Sequence, residues 1–446
     1  MSASPDAQGR EEGGYGRSAA ILSAGIGVTG LVTYSYFSLA SHTLSESDYG
    51  GITLLWSAVF VVVSVLYRPV EQLLSRTIAD RDARGQTGGG AMRVAATIQL
   101  ALGALFAVVA LALRGPIRDD LFGGSSTLYW VLIVTVLAYA ASYFARGFLA
   151  GHRRFGLYGA LVLMEAISRC LFAVAVAVGI AEGQSVVALG MAAAPVVSMA
   201  VVPWALSRRL RPGPVAAQSE PASAPEARET EFTLAHGSGF AAAVLVVMVA
   251  EQTLLNAGPL LVKATGGSEG AALAGFTFNV LLIARAPLQL FQSIQTSILP
   301  HLTRLSASGG TDPFRRSVNA TLLAITAFAT VVALTMLAIG PTLMDLFFGG
   351  EFEYGRGGLV LVALGMGFYL AAATLNQAAL ARGAAKQAAV CWALGAGAFV
   401  AFLLAPLVED RVLRVEIGFL GAALGLTAML YALYRRDHTS SAPAAP

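Results

Sequence analysis

Arg68-Pro69-Val70-Glu71-Gln72 lies near the end of an otherwise apolar run, and a changed copy, Arg285-Ala286-Pro287-Leu288-Gln289, lies at the matching place in the second half of the chain. Each copy puts an arginine and a proline into a segment long enough to cross a bilayer. A guanidinium at membrane depth costs at least a few kcal/mol, so it faces a cavity or a partner rather than lipid. Two such positions related by duplication point to a polar site between two similar halves.

The composition around these stretches sets the class. Of 446 residues, 56% are hydrophobic and 12% charged, where a soluble domain carries about 25% charged residues. This predicts a polytopic membrane protein. The net charge of +3 says little about partners, because the sign asymmetry lies across the membrane. Cys170 and Cys391 both fall in apolar runs and read as small fillers, with no disulfide framework and no metal spacing. Met1 to Gly16 is polar and runs straight into an apolar segment without a short h-region and cleavage site, which predicts an uncleaved first span.

Apolar runs of about 18 residues or more, set against a hydrocarbon core about 30 Å thick, predict an all-α fold of about twelve spans: 18–41, 51–75, 91–113, 127–148, 158–181, 186–207, 237–262, 271–299, 317–339, 357–381, 388–407 and 415–434. Short-range alternation is missing, which excludes a β-barrel. One set of loops holds Arg81 and Arg84, Arg153 and Arg154, Arg208, Arg209 and Arg211, Arg304, Arg315 and Arg316, Arg382 and Lys386, and Arg435 and Arg436. The alternate loops hold only Arg114 and Arg118, Lys263, Arg356, Arg411 and Arg414. By the positive-inside rule the first set is cytoplasmic, as are both termini. The expected organisation is a tail (1–17), a six-helix bundle (18–207), a Pro/Ala/Ser/Glu-rich linker (208–236), a second six-helix bundle (237–434) and a second tail (435–446).

Two further matches support the duplication. Asp120-Leu121-Phe122-Gly123-Gly124 returns as Asp345-Leu346-Phe347-Phe348-Gly349-Gly350, and Leu149-Ala150-Gly151 as Ala381-Arg382-Gly383. The offsets are all about 220 to 230 residues and keep chain order, and six spans per half give the halves the same orientation.

Candidate site residues are the polar groups inside spans. Arg68 and Glu71 are spaced i,i+3, and Glu165 and Arg169 i,i+4, so each can form a neutralising pair on one helix face. Such pairs serve helix packing and a substrate cavity equally well. Span seven carries Glu251 and Asn256, and span eight carries Arg285, Gln289, Gln292 and Gln295 on one face. Glu251 reads either as a proton-titrating group or as the partner of Arg285, with the second favoured. Substrate binding is therefore assigned to Arg68, Arg169, Arg285, Gln289, Gln292 and Asn256, and ion coupling or charge pairing to Glu71, Glu165 and Glu251. Pro69, Pro195, Pro203 and Pro287 fall inside spans as bends or hinges. There is no nucleophile–base constellation, no metal-ligating histidine spacing, no P-loop and nothing that argues for nucleic acid, so neither an enzyme nor a cofactor is expected.

Several of these stretches are familiar together. Ser45-Glu46-Ser47-Asp48-Tyr49-Gly50 resembles the loop before span two of polysaccharide-exporter flippases. Arg285 to Phe291, closing on Leu299-Pro300-His301-Leu302, is similar to their span-eight pattern, and Arg146 to Gly151 with Gln377 to Gly383 to their paired cytoplasmic turns. The chain thus resembles the multidrug/oligosaccharidyl-lipid/polysaccharide (MOP) exporter superfamily, in its polysaccharide-biosynthesis branch. The resemblance implies a flippase in the bacterial inner membrane that moves polyprenyl-diphosphate-linked oligosaccharide to the outer leaflet by alternating access. It further implies proton or sodium coupling, contact with membrane lipids and association with polysaccharide polymerase machinery. Arginines suit the diphosphate, and Arg169 and Arg285 are expected to bind it from opposite bundles. A drug/cation antiporter of the same superfamily and a major-facilitator transporter are the alternatives. A membrane glycosyltransferase or ligase would need a large external catalytic loop, which the span pattern lacks.

Overall fold

Ser45 accepts a hydrogen bond from the Asp48 amide at 3.2 Å, Ser125 one from the Leu128 amide at 3.3 Å, and Asp410 one from the Val412 amide at 2.8 Å. Side chains like these supply acceptors to amides that a helix start leaves unbonded. They begin three of the rods in a computed structural model that describes residues 25, 27–83, 90–152, 154–201, 203, 234–283, 285, 311–349 and 353–439. The rods follow the order of the hydropathy runs. The first bundle has α1 (27–43), α2 (Glu46–Leu66), α3 (Arg68–Ala83), α4 (Gly90–Ala112), α5 (Ser126–Gly151), α6 (Phe155–Ala177) and α7 (Gln184–Ser198). The second has α8 (Leu234–Thr265), α9 (Gly270–Ile283), α10 (Thr311–Phe348), α11 (Arg356–Ala381), α12 (Ala385–Leu404) and α13 (Arg411–Thr439). The fold is all-α, with no strand among the described residues. α2 and α3 are one span, Glu46–Ala79, so the thirteen helices make twelve rods.

The break in that span falls at Tyr67 (φ −106°, ψ −26°), two residues before Pro69. A proline ring has no amide to donate and clashes with the carbonyl four residues back, so the helix bends there. The Glu71 amide still reaches the Tyr67 carbonyl at 2.9 Å, and the bend interrupts the rod without ending it.

The two halves repeat in burial as well as in motif. α4 and α10, the third rod of each bundle, turn most of their apolar surface outward, as lipid-facing helices do. α5 and α11, the fourth of each, are mostly enclosed. The Leu-Phe-Gly motifs do the same job twice. Phe122 and Phe348 are buried, and the glycines after them, Gly123, Gly124 and Gly349, take φ of +59°, +89° and +86°. An L side chain rarely adopts that conformation. The third match is looser: Gly383 has φ +78°, whereas Gly151 stays helical because a Cβ there would lie 2.7 Å from Ile78 Cβ. Helix ends differ from the expected spans by up to nine residues, as in α10, which runs Thr311–Phe348 against 317–339, and the edges of the second bundle move with them. α8 begins at Leu234, before the expected edge at 237, and α13 continues to Thr439, past 434; most of the expected linker lies outside the described residues.

The bundles meet along the arginine-poor half, where α2 of the first packs on α8 of the second. Here Gly50 lets the backbones touch: a Cβ would stand 1.9 Å from the Ala271 carbonyl oxygen, at the start of α9. The Tyr49 hydroxyl donates to Asn279 Oδ1, and Asn279 Nδ2 donates to the Tyr354 hydroxyl at 3.1 Å. Deeper, the rings of Phe37 and Phe278 are 4.6 Å apart, and the Tyr34 hydroxyl donates to the Leu282 carbonyl. This seam is closed.

Candidate functional site

Buried charge gathers in two places, one inside the first bundle and one where the bundles meet. Inside the first bundle, Glu165 and Arg169 are 3% and 4% exposed. Their spacing predicts a pair within α6, but each takes another partner. Glu165 accepts from Arg146 Nη2 and Ser142 Oγ, both on α5, and stands 3.5 Å from Ser198 Oγ on α7. Arg169 donates to the Tyr139 hydroxyl at 3.3 Å and lays its guanidinium 4.5 Å over the Trp56 ring and 5.9 Å over that of Tyr36. The facing helices supply a carboxylate-bound arginine and an aromatic cage, both stronger in a dry interior than a pair along one helix.

Glu71 on α3 also finds its hydrogen bond across helices, accepting from the Tyr158 hydroxyl at 3.0 Å. Arg146 and Arg68 both lie within electrostatic reach of it. The carboxylate closest in effect to Arg68 is Glu251 of α8, in the other bundle. The groups that act on Arg285 are Tyr34 and Tyr369. Tyr369 on α11 lies within electrostatic reach of both Glu251 and Arg285. Arg285 lies 5.6 Å over the Phe278 ring, near Tyr34, and its Nε and Nη2 have no hydrogen-bond partner among the described residues. The seam thus holds Arg68, Glu251, Tyr369, Arg285 and Tyr34 from five helices.

A chain of aromatic rings links Arg169 to Arg285. Between them stand Trp56, Phe37 and Phe278, with ring centroids 4.8 Å and 4.6 Å apart in sequence. Asn256 is buried and donates to Gln252 Oε1 at 2.9 Å on its own helix, with its Oδ1 unpartnered among the described residues. Gln289, Gln292, Gln295 and Pro287 lie outside the described residues.

Four residues that the geometry singles out carry no assigned role in the reading of the sequence. Arg146 reads as part of a turn, yet it is the counter-ion of Glu165. Tyr369 and Tyr34 are unremarkable aromatics in apolar runs. Glu416, 7% exposed on α13, is an acidic residue just inside the last predicted span, and that placement was its signal.

Comparison with solved structures finds this architecture along nearly the whole chain. A mutant of the Vibrio cholerae MATE transporter VcmN aligns with a TM-score of 0.62 at 16% identity, over 95% of this chain and 99% of that one. An inward-facing multidrug resistance MATE family transporter of the MOP superfamily aligns at 0.63 and 12% identity, over 96% of each chain. The eukaryotic MATE transporter AtDTX14 aligns at 0.62 and 13%, over 94% and 95%. No family model matches, and no curated protein matches by sequence. The chain has the fold of MATE transporters, one of which is described as a multidrug resistance transporter of the MOP superfamily.

Proposed function

We propose that this chain is a secondary transporter of the MATE kind, exporting amphipathic organic solutes in exchange for a cation as its two six-helix bundles rock about their seam. The observation that carries this reading is that Arg68 of the first bundle and Glu251 of the second, both half-buried, lie within electrostatic reach of each other across the seam. Separating the bundles separates the pair. Arg68 lies close enough to influence Glu251 in this arrangement and moves away from it when the bundles part, so the attraction of Glu251 for a cation alternates with access. A ligand shifts such an equilibrium only by its differential affinity for the two states, and this pair supplies a differential.

A second reading, flipping of lipid-linked oligosaccharide, is favoured by Arg285. Its two unbonded nitrogens at the seam suit a phosphate better than a cationic drug. Neither the inner-membrane location nor a polymerase partner follows from the fold, and both belong to this second reading.

The test reconstitutes the full chain in liposomes and follows two probes: a fluorescent organic cation under an imposed pH gradient, and a fluorescent polyprenyl-diphosphate scored for leaflet by a membrane-impermeant quencher. Gradient-driven movement of the dye, lost in Glu251→Gln, is the expected result. Flipping of the lipid without dye movement, lost in Arg285→Gln, would replace the first reading with the second.

A further inference from the structure

Glu71 and Glu165 of the first bundle accept hydrogen bonds from side chains on neighbouring helices. Glu416 of the second bundle has none. It is 93% enclosed, since its exposure is 7%, and among the described residues it makes no hydrogen bond and no ion pair. Its position is specific. Both carboxylate oxygens lie 2.2 Å from where a Cβ on Gly358 would be, so the group sits in a notch that exists because α11 has glycine there. One heptad on, Gly365 forms a like notch for Phe419, whose Cδ1 would be 2.8 Å from its Cβ. The two glycines let α13 press on α11, and the first of them receives a charge-bearing group.

Gly358 is the third residue of α11, which begins after Gly355 without a side-chain cap. The first amides of a helix carry partial positive charge and lack internal acceptors. Among the described residues the carboxyl takes a hydrogen bond from none of these amides; it lies instead against the α-carbon of Gly358, and this turn continues directly into Tyr354. Tyr354 receives the Asn279 hydrogen bond that extends to Tyr49 in the first bundle. A group that sets the position of the first turn of α11 also sets the last link of the closed seam.

The other charged groups nearby do not neutralise it. Asp410, in the loop before α13, carries the same sign and accepts from the Val412 and Leu413 amides at 2.8 and 3.2 Å. Arg414, on the same helix, donates to the Leu403 carbonyl at 3.3 Å and to that of Val408. Arg411 precedes it by more than one turn. On α11, Arg356 is exposed. α12 brings the apolar Phe402 and Leu403 against Gly418, and α8 brings Gly258 against Val415, with Lys263 further along.

We propose that Glu416 is a proton-binding site that controls the arginine-poor seam through the first turn of α11 and Tyr354. An ionised carboxylate without a partner is costly in an apolar notch. The protonated form suits the closed arrangement. Loss of the proton favours an opened one, in which water reaches the group and the Tyr354–Asn279–Tyr49 link parts. Rising pH therefore opens the seam. The inference rests on the transporter reading, because it needs bundles that move, but it does not depend on what is carried.

The test therefore uses no substrate. Spin labels are placed on the full chain at Ser47→Cys and Glu269→Cys, both exposed on the two sides of the seam, in a Cys170→Ser, Cys391→Ser background. Pulsed electron resonance gives the ratio of separated to closed populations from about pH 5 to about pH 9, a range that brackets shifted carboxyl titrations. The expected result is a ratio that rises with pH, by at most about tenfold per unit for one linked proton, and that becomes flat in Glu416→Gln. Glu416→Asp, which keeps a titrating group, retains the slope with a displaced midpoint. A slope that persists in Glu416→Gln, an aspartate variant as flat as the glutamine one, or no slope in the parent would each overturn the proposal. Failure to move either probe in the liposome assay would count against the transport reading and leave these distances as they are.

Discussion

The two bundles treat buried charge in opposite ways. In the first, Glu165 collects Arg146, Ser142 and Ser198, Arg169 rests in a cage of Trp56, Tyr36 and Tyr139, and Glu71 holds Tyr158. In the second, Glu416 has no partner and Arg285 leaves two nitrogens unbonded among the described residues, and Glu251 lies within electrostatic reach of Arg68 in the other bundle. Charges satisfied within one bundle fix its helices against each other. Charges left open, or satisfied only across the seam, have energies that change when the bundles move. The first bundle reads as the frame and the second as the part that responds.

The contrast breaks most visibly at Glu165. Glu165→Ala leaves the Arg146 guanidinium buried and short of its counter-ion, which costs about 3–5 kcal/mol in comparable sites. The expected outcome is a large drop in the thermal unfolding midpoint of the purified protein. The double variant Glu165→Leu, Arg146→Met removes both charges and should recover most of that loss, because an apolar pair of similar volume often replaces a buried ion pair at little cost. A double variant as unstable as the single one would mean that Ser142 and Ser198, left unbonded, are what the carboxylate supports.

A smaller effect sharpens the same point one turn along α6. Arg169→Met keeps the length of the side chain and removes the charge over Trp56. Cation–π contacts in desolvated sites are worth about 2 kcal/mol, so a moderate loss of stability is expected. The intrinsic fluorescence of the chain should change with it, since the guanidinium lies 4.5 Å from the Trp56 ring. Unchanged stability would make Arg169 a group held for substrate rather than for the frame.

Much of the fold was legible because lipid imposes it. A run of apolar residues long enough to span must be helical to satisfy its own backbone, so length and hydropathy locate the twelve rods without tertiary information. The arginine–proline stretch likewise declares its bend at Tyr67. The site was legible only as an inventory. Spacing within one helix says that Glu165 and Arg169 share a face, but not that α5 brings Arg146 and α2 brings Trp56 to that face. Nor does spacing within one helix show that Arg68, far away in sequence, lies within electrostatic reach of Glu251. Glu416 escaped notice for another reason: its notch is made by an absent side chain, at Gly358, and glycines are too common in these spans to mark a site.

The smallest expected effect is at Glu416 itself, and its smallness is what the comparison requires. Glu416→Gln keeps the shape that fits against Gly358 and removes only the ability to ionise. Because the carboxyl makes no hydrogen bond among the described residues, none is lost, and the change in stability should stay below the roughly 1 kcal/mol of a typical buried hydrogen bond. Glu165→Gln, an identical chemical change at a similarly buried carboxylate, should cost several times more because Arg146 loses its counter-ion. Thermal midpoints of the two glutamine variants, measured side by side, decide the matter. If they fall equally, Glu416 has a strong partner in the folded protein and the second bundle is framed like the first. If only Glu165→Gln falls, the same residue type is a fastener in one bundle and a free acid in the other.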